Sequence, residues 1–186
     1  MSSLYVDNIV PNLGSQVEIP NLKPLAGSVV QVKQAVKTDT FATTSGTYVT
    51  VTGLSVTITP SSTSSKLLVT ADITASSTHY VYHVALFQDG TEIGKADAAS
   101  NRPVSLLSGT MNGPDMNTDG IVGHVSKSLL LSPASTSAIT FDIRAARRFD
   151  NENSPTTFIN RSSPDRNTST YDSRHISTLT VMEIAG

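Results

Sequence analysis

Apolar and polar residues alternate along this chain with a period of two, the signature of strands with one buried face. In "TYVTVTGLSVTIT" (47–59), Val49 and Val51 occupy odd positions whereas Leu54, Val56 and Ile58 occupy even ones. Only an inserted residue or a turn changes the phase of a strand, so the pattern predicts a bulge or corner at Thr52-Gly53. A hydroxyl-rich turn follows, and then Leu67, Val69, Ala71 and Ile73 alternate strictly. The same grammar returns with Ile139, Phe141 and Ile143, where Pro133 aligns with Pro60 and Thr136 with Thr63. Two such units predict two similar hairpins at one end of a sandwich. "YVYHVALFQDGTEIGKA" predicts a strand, a turn at Asp89-Gly90 and a short return strand. "GSVVQVKQAVK" predicts a strand with Val30, Val32 and Val36 on one face. Residues 121–131, "TTFINRS" and the closing "HISTLTVMEIAG" add further strands, and 98–117 reads as a polar loop. No segment holds a 3.6-residue period over helical length. The expected fold is all-β: an antiparallel β-sandwich or jelly-roll-like head with about eight or nine strands.

The opening "MSSLYVDNIVPNLGSQVEIPNL" alternates too, but it is too short for a core of its own. Leu4, Tyr5, Val6 and Ile9 precede a Pro-Asn-Leu-Gly turn signal, and Val17 and Ile19 follow it. Two strands alone are marginal in water, so something must cover them. Either the segment is an extended arm that docks on a partner, or it is a strand pair internal to the domain. The division expected is an arm over 1–27 and a head over 28–186.

Composition sharpens this picture. Charged residues make up 15% of the 186, while about a quarter are Ser or Thr, so hydroxyls rather than Lys and Glu solvate the surface. A net charge of −2 supplies no field to attract nucleic acid or an anionic membrane. With no cysteine there is no disulfide, thiolate nucleophile or cysteine-based zinc site. No apolar run approaches a membrane span, and no basic-then-apolar leader opens the chain, so neither classical export nor membrane insertion is expected.

Little of the remaining chemistry converges. Asp115, Asn117, Asp119 and Gly120 match the first half of a calcium loop, but its twelfth position is Ser126 rather than Glu. A solvated loop is therefore expected, with no metal and no cofactor. His79 and His83 have helical metal-pair spacing, yet on a strand they sit about 13 Å apart and cannot share an ion; surface or interface positions are expected. Arginines and acids alternate through the C-terminal third. Loop ion pairs are the plain expectation, and Arg166, Tyr171 and Arg174 are the candidates for contact with a receptor or an anionic glycan. Tyr80 and Tyr82 share a face with Val84 and Leu86 and read as core. The acids lie mostly in loops rather than as a pair on a rigid scaffold, so a polysaccharide-cleaving enzyme is not expected.

The blocks "SSLYVDNIV", "GSVVQVKQAVKTDTFATTSGTYVTVTGLSVTITPSSTSSKLLV", "FINRS" and "STLTVMEIAG" resemble virion fibre proteins of tailed bacteriophages, especially those infecting cyanobacteria and other aquatic bacteria. The resemblance spans nearly the whole chain and is most specific in "TGLSVTITPSSTSSK" and "TVMEIAG". It implies a non-enzymatic virion protein, assembled in the host cytoplasm, whose N-terminal segment docks on the particle and whose trimeric β-rich head recognises a host-surface glycan or protein. A short tail fibre, a tail-tip protein and a capsid decoration protein all fit. In the final strand Leu179 and Val181 take one face and Met182 and Ile184 the other. If both faces are buried, a partner subunit at a threefold axis covers the second one.

Overall fold

The computed structural model describes residues 24–79, 81–110, 121–147, 155–167 and 172–186. Eleven strands and no helix occur among them: β1 (Val29–Lys37), β2 (Phe41–Thr43), β3 (Val49–Ile58), β4 (Lys66–Ser77), β5 (Val81–Gln88), β6 (Thr91–Ile93), β7 (Gly109–Thr110), β8 (Gly123–Leu131), β9 (Ile139–Ala146), β10 (Thr157–Ile159) and β11 (Ser177–Ile184). All pairings are antiparallel, and the all-β, sandwich-like expectation holds. One sheet runs β1-β11-β4-β10-β2, with β8 on the other edge of β4; the second runs β3-β9-β5-β6, with β7 also on β5. Because β11 pairs with Lys66–Asp72 and β10 with Ala75–Ser77, these two strands lie end to end along β4.

The core between the sheets is built from the alternating positions. Leu67, Val69, Ala71 and Ile73 of β4 face Ile139, Phe141, Ile143 and Ala145 of β9, all buried. In β3 the phase switch does what its sequence predicts. Gly53 takes φ +85, the register against β9 shifts between Thr50 and Ser55, and Val51, Leu54, Val56 and Ile58 are all buried despite their mixed parity. A bulged residue with φ > 0 favours glycine because it has no Cβ to clash. The Asp89-Gly90 turn joins Gln88 to its partner Thr91, with φ +48 and +84 at the two central residues, as the twist-matched two-residue hairpin demands.

Three sequence expectations are corrected. The two Pro-and-Ser turns do not close hairpins: β3 and β4 belong to different sheets, as do β8 and β9. Both connections are arches between the layers, side by side at one end, where Ile58 pairs with Ile139 and Leu67 with Leu131. Packed sheets lie about 10 Å apart against about 4.8 Å between paired strands, a gap that these longer links span. The polar stretch 98–117 is not wholly a surface loop, since Leu107 is fully buried and Leu106 packs against the core, with Leu106 and Leu129 both close to Gly94. The third concerns β1. Its partners in β11 fix the outward face as Val29, Val32, Gln34 and Val36, a bulge at Val30 removing that residue from the expected valine face and putting Val29 in its place; Gln31, Ala35 and Lys37 lie on the inward side, and Lys33 on that side stays exposed. The apolar side of β1 therefore points away from the core, and Val29, Val32 and Val36 are exposed.

Candidate functional site

At one end of the sandwich the chain enters through a tight turn. Ser28 donates its N–H and its hydroxyl to the Leu25 carbonyl, at 2.9 and 2.6 Å, and Gly27 adopts φ +83. Gly27 and Ala185 then exchange backbone hydrogen bonds with the closing strand: Gly27 N–H to Ala185 O at 2.7 Å and Ala185 N–H to Ser28 O at 2.9 Å. Beside this turn Pro24, Val30, Ser61, Ser64, Ala185 and Gly186 border an open crevice of about 380 Å³.

The same rim contains the one fully enclosed glutamate among the described residues. Glu183 points inward from β11, and its carboxylate accepts hydrogen bonds from Gln31 Nε2 (2.6 Å), Ser61 N–H (2.7 Å) and the Ser61 hydroxyl (2.6 Å). Burial opposes its ionisation, but donors from Gln31, Ser61 and Ser65 outweigh that and hold the carboxyl at about 2. Gln31, Ser61 and Glu183 come from "GSVVQVK", "TPSSTSSK" and "TVMEIAG". Segments far apart in sequence thus meet at one carboxylate.

The opposite end of β11 begins at Ser177, and a loop of paired charges precedes it. Asp165 accepts from Arg161 (3.1 Å) and Arg174 (2.8 Å), while Asp172 accepts from Arg166 (2.8 Å) and from the Ser162 hydroxyl (2.5 Å). Arg166 and Ser162 together hold the Asp172 carboxyl below its ordinary range. The Arg161 guanidinium also stacks on Phe158, 4.1 Å from the ring centre. The two candidate contact arginines, Arg166 and Arg174, are thus engaged within the loop, with side chains 40% and 59% exposed. Loop ion pairs were the plain expectation for this stretch, and they are present. Tyr171, the third candidate, lies outside the described residues.

Other expected positions fall as follows. Leu179 and Val181 are fully buried in the sandwich interior, which corrects their expected place in a subunit interface; Thr180 is buried as well, and the partly exposed residues of β11 are Thr178, Met182 and Ile184. Leu4, Tyr5, Val6, Ile9, Val17 and Ile19 lie outside the described residues, as do Tyr80 and the loop with Asp115, Asn117 and Asp119. Among the described residues no group of three or more His, Cys, Asp or Glu side chains could hold a metal, and no helix is long and apolar enough to cross a membrane. Tyr82 is core, its ring pressed so closely on Gly109 and Gly123 that a Cβ at either would collide with it. His83 is also buried, with Nδ1 3.3 Å from the Ser108 hydroxyl, which corrects its expected surface position. On the outer face of the second sheet, Arg144 lies 4.1 Å over the Phe87 ring and 2.6 Å from Asp142, and Tyr48 meets Phe87 edge-on. Glu92, nearby, has one enclosed oxygen with no partner, and burial raises its pKa against the pull of Lys95.

Set against known proteins, the chain matches no family model and no curated protein.

Proposed function

We propose that this chain is a non-enzymatic phage virion protein, a short homotrimeric tail fibre. Residues 1–27 attach it to the particle, and the 28–186 head meets a glycan or protein on the host surface. The observation that carries this reading is the polarity of β11. Ala185, next after its last residue, holds the turn through which the N-terminal segment enters, and its first residue follows closely on the ion-paired stretch with Arg166 and Arg174. Eight strand residues separate the two ends by about 25 Å, which supports a reading in which attachment and recognition take opposite poles of the sandwich. The sequence resemblance supports the same assignment, because its most specific blocks build the attachment pole around Glu183.

The test is binding of the full-length protein to particles that lack it. The triple variant Leu4→Asp, Val6→Asp, Ile9→Asp is expected to keep its circular dichroism spectrum and oligomeric mass while losing particle binding at least tenfold. Wild-type binding by that variant would remove the docking role from the segment.

A further inference from the structure

The outer face of the first sheet carries an apolar band among its threonines and serines, where a solvent face would be polar throughout. Register fixes a row across four strands, Val32–Met182–Leu68–Leu130, with Val29, Ile184 and Val36 beside it. Leu130 is 61% exposed and Val32 52%, while Met182 and Leu68 are half-buried. In β1 the arrangement runs against the sandwich's own pattern: Val29, Val32 and Val36 face out, while Gln31 and the buried Lys37 turn in beside Ala35. A one-residue slip would reverse that, and strand register normally follows burial of the apolar set. The Gln31–Glu183 hydrogen bond helps to hold this register, and it leaves three valines in water unless the outer face is covered as well.

We infer that a second copy of this chain covers it, and that the row Val32–Met182–Leu68–Leu130 is the centre of the contact between subunits. This rests on the oligomeric fibre reading and locates its interface. Size and charge both favour a second copy. Four strands of eight or more residues make a face about 20 Å by 30 Å, on the order of 600 Å² in projection and close to the ~800 Å² per partner of a stable interface. Its charges are sparse: Lys66 lies at one end, bonded to Ser132, and Asp72 at the other, paired with His124. Threonine and serine fill the area between, as in the Thr70–Ser128 contact. Such a face offers no field to a charged partner and meets little like-charge repulsion from its own copy. The competing occupant is the N-terminal segment, which enters at Pro24 beside Val30.

Full-length wild type, the double variant Val32→Arg, Leu130→Arg and the control Thr57→Arg on the other sheet are compared by sedimentation equilibrium, with circular dichroism to verify folding. Both Val32 and Leu130 are more than half exposed, so the monomer accommodates arginine at either. Wild type and Thr57→Arg are expected to be oligomeric, and the double variant to dissociate to monomer or to weaken at least 100-fold. A double variant that keeps the wild-type mass would overturn this interface while leaving an oligomeric fibre standing. A monomeric wild type would overturn both the interface and the trimer; if a Leu130→Cys thiol then reacted only once the N-terminal segment carried its three aspartates, that segment would be the cover. Particle binding is scored independently of mass, so failure of the docking role is read separately.

Discussion

Asn160→Ala is expected to destabilise the head by about 3–5 kcal/mol, more than any surface change in the chain. Asn160 follows β10, is fully buried, and sits at φ +64, a conformation that Asn tolerates better than most residues. Its Nδ2 donates to the carbonyls of Lys37 (2.8 Å) and Asp39 (3.0 Å), and its Oδ1 accepts from the Ser177 hydroxyl at 2.6 Å. The backbone joins in: Asn160 N–H donates to Thr74 O, and His175 N–H donates to Asn160 O. Ser177 in turn accepts from the Thr74 amide at 3.0 Å. One side chain thus ties the exit of β1, the middle of β4 and the start of β11 at the point where β10 and β11 abut. Alanine removes three hydrogen bonds, strands their partners and leaves a Cβ in a left-handed residue. Asn160→Gly loses the same bonds without the conformational penalty, so it should be less harmful by about 1 kcal/mol. Urea unfolding at fixed protein concentration measures both. A loss below about 1 kcal/mol for Asn160→Ala would show that the junction does not depend on this residue.

Glu183 should make the head acid-sensitive. Its folded-state pKa of about 2 lies below the ordinary 4.5. The stabilisation from the depressed pKa is therefore fully present above about pH 4.5, falls as pH drops through that window, and is gone below about 2. Allowing for solvent near the rim, the effect is about 1–2 kcal/mol. Glu183→Gln keeps the shape but turns one acceptor into a donor facing the donors of Ser61 and Gln31. At pH 7 it should cost about 2–3 kcal/mol. The gap between wild type and variant should then narrow steadily from pH 4.5 to 2.5, because Glu183 is the only titrating group in which the two proteins differ. Parallel stability profiles over that range would contradict the hydrogen-bonded carboxylate.

Legibility in the sequence divides by range. The bulge at Gly53, the Asp89-Gly90 hairpin and the alternating core positions of β4 and β9 were readable because each depends on its neighbours in sequence. The ion pairs among Arg161, Asp165, Arg166, Asp172 and Arg174 were readable for the same reason. The rest required the third dimension. Parity groups Val30 with Val32 and Val36 but shows neither the bulge that puts Val29 in Val30's place nor which side faces the core; pairing with β11 decides both. Pro60 and Pro133 mark turns without telling an arch from a hairpin. Glu183 looks like one more polar strand residue until Ser61, 122 positions away, supplies its donors. Asn160 sits in a glycosylation-like "NRS" while being enclosed by residues up to 123 positions distant.

The central claim is that the chain attaches by its N-terminal end and presents its head outward from a tail appendage. Imaging of purified particles by electron cryomicroscopy, with the sandwich fitted to the density, tests it most directly. Three heads per appendage on the tail are expected, with the Gly27 turn toward the particle and the ion-paired loop of residues 161–167 pointing away. Heads laid over the capsid shell, or a sandwich fitted with that loop against the particle, would contradict it.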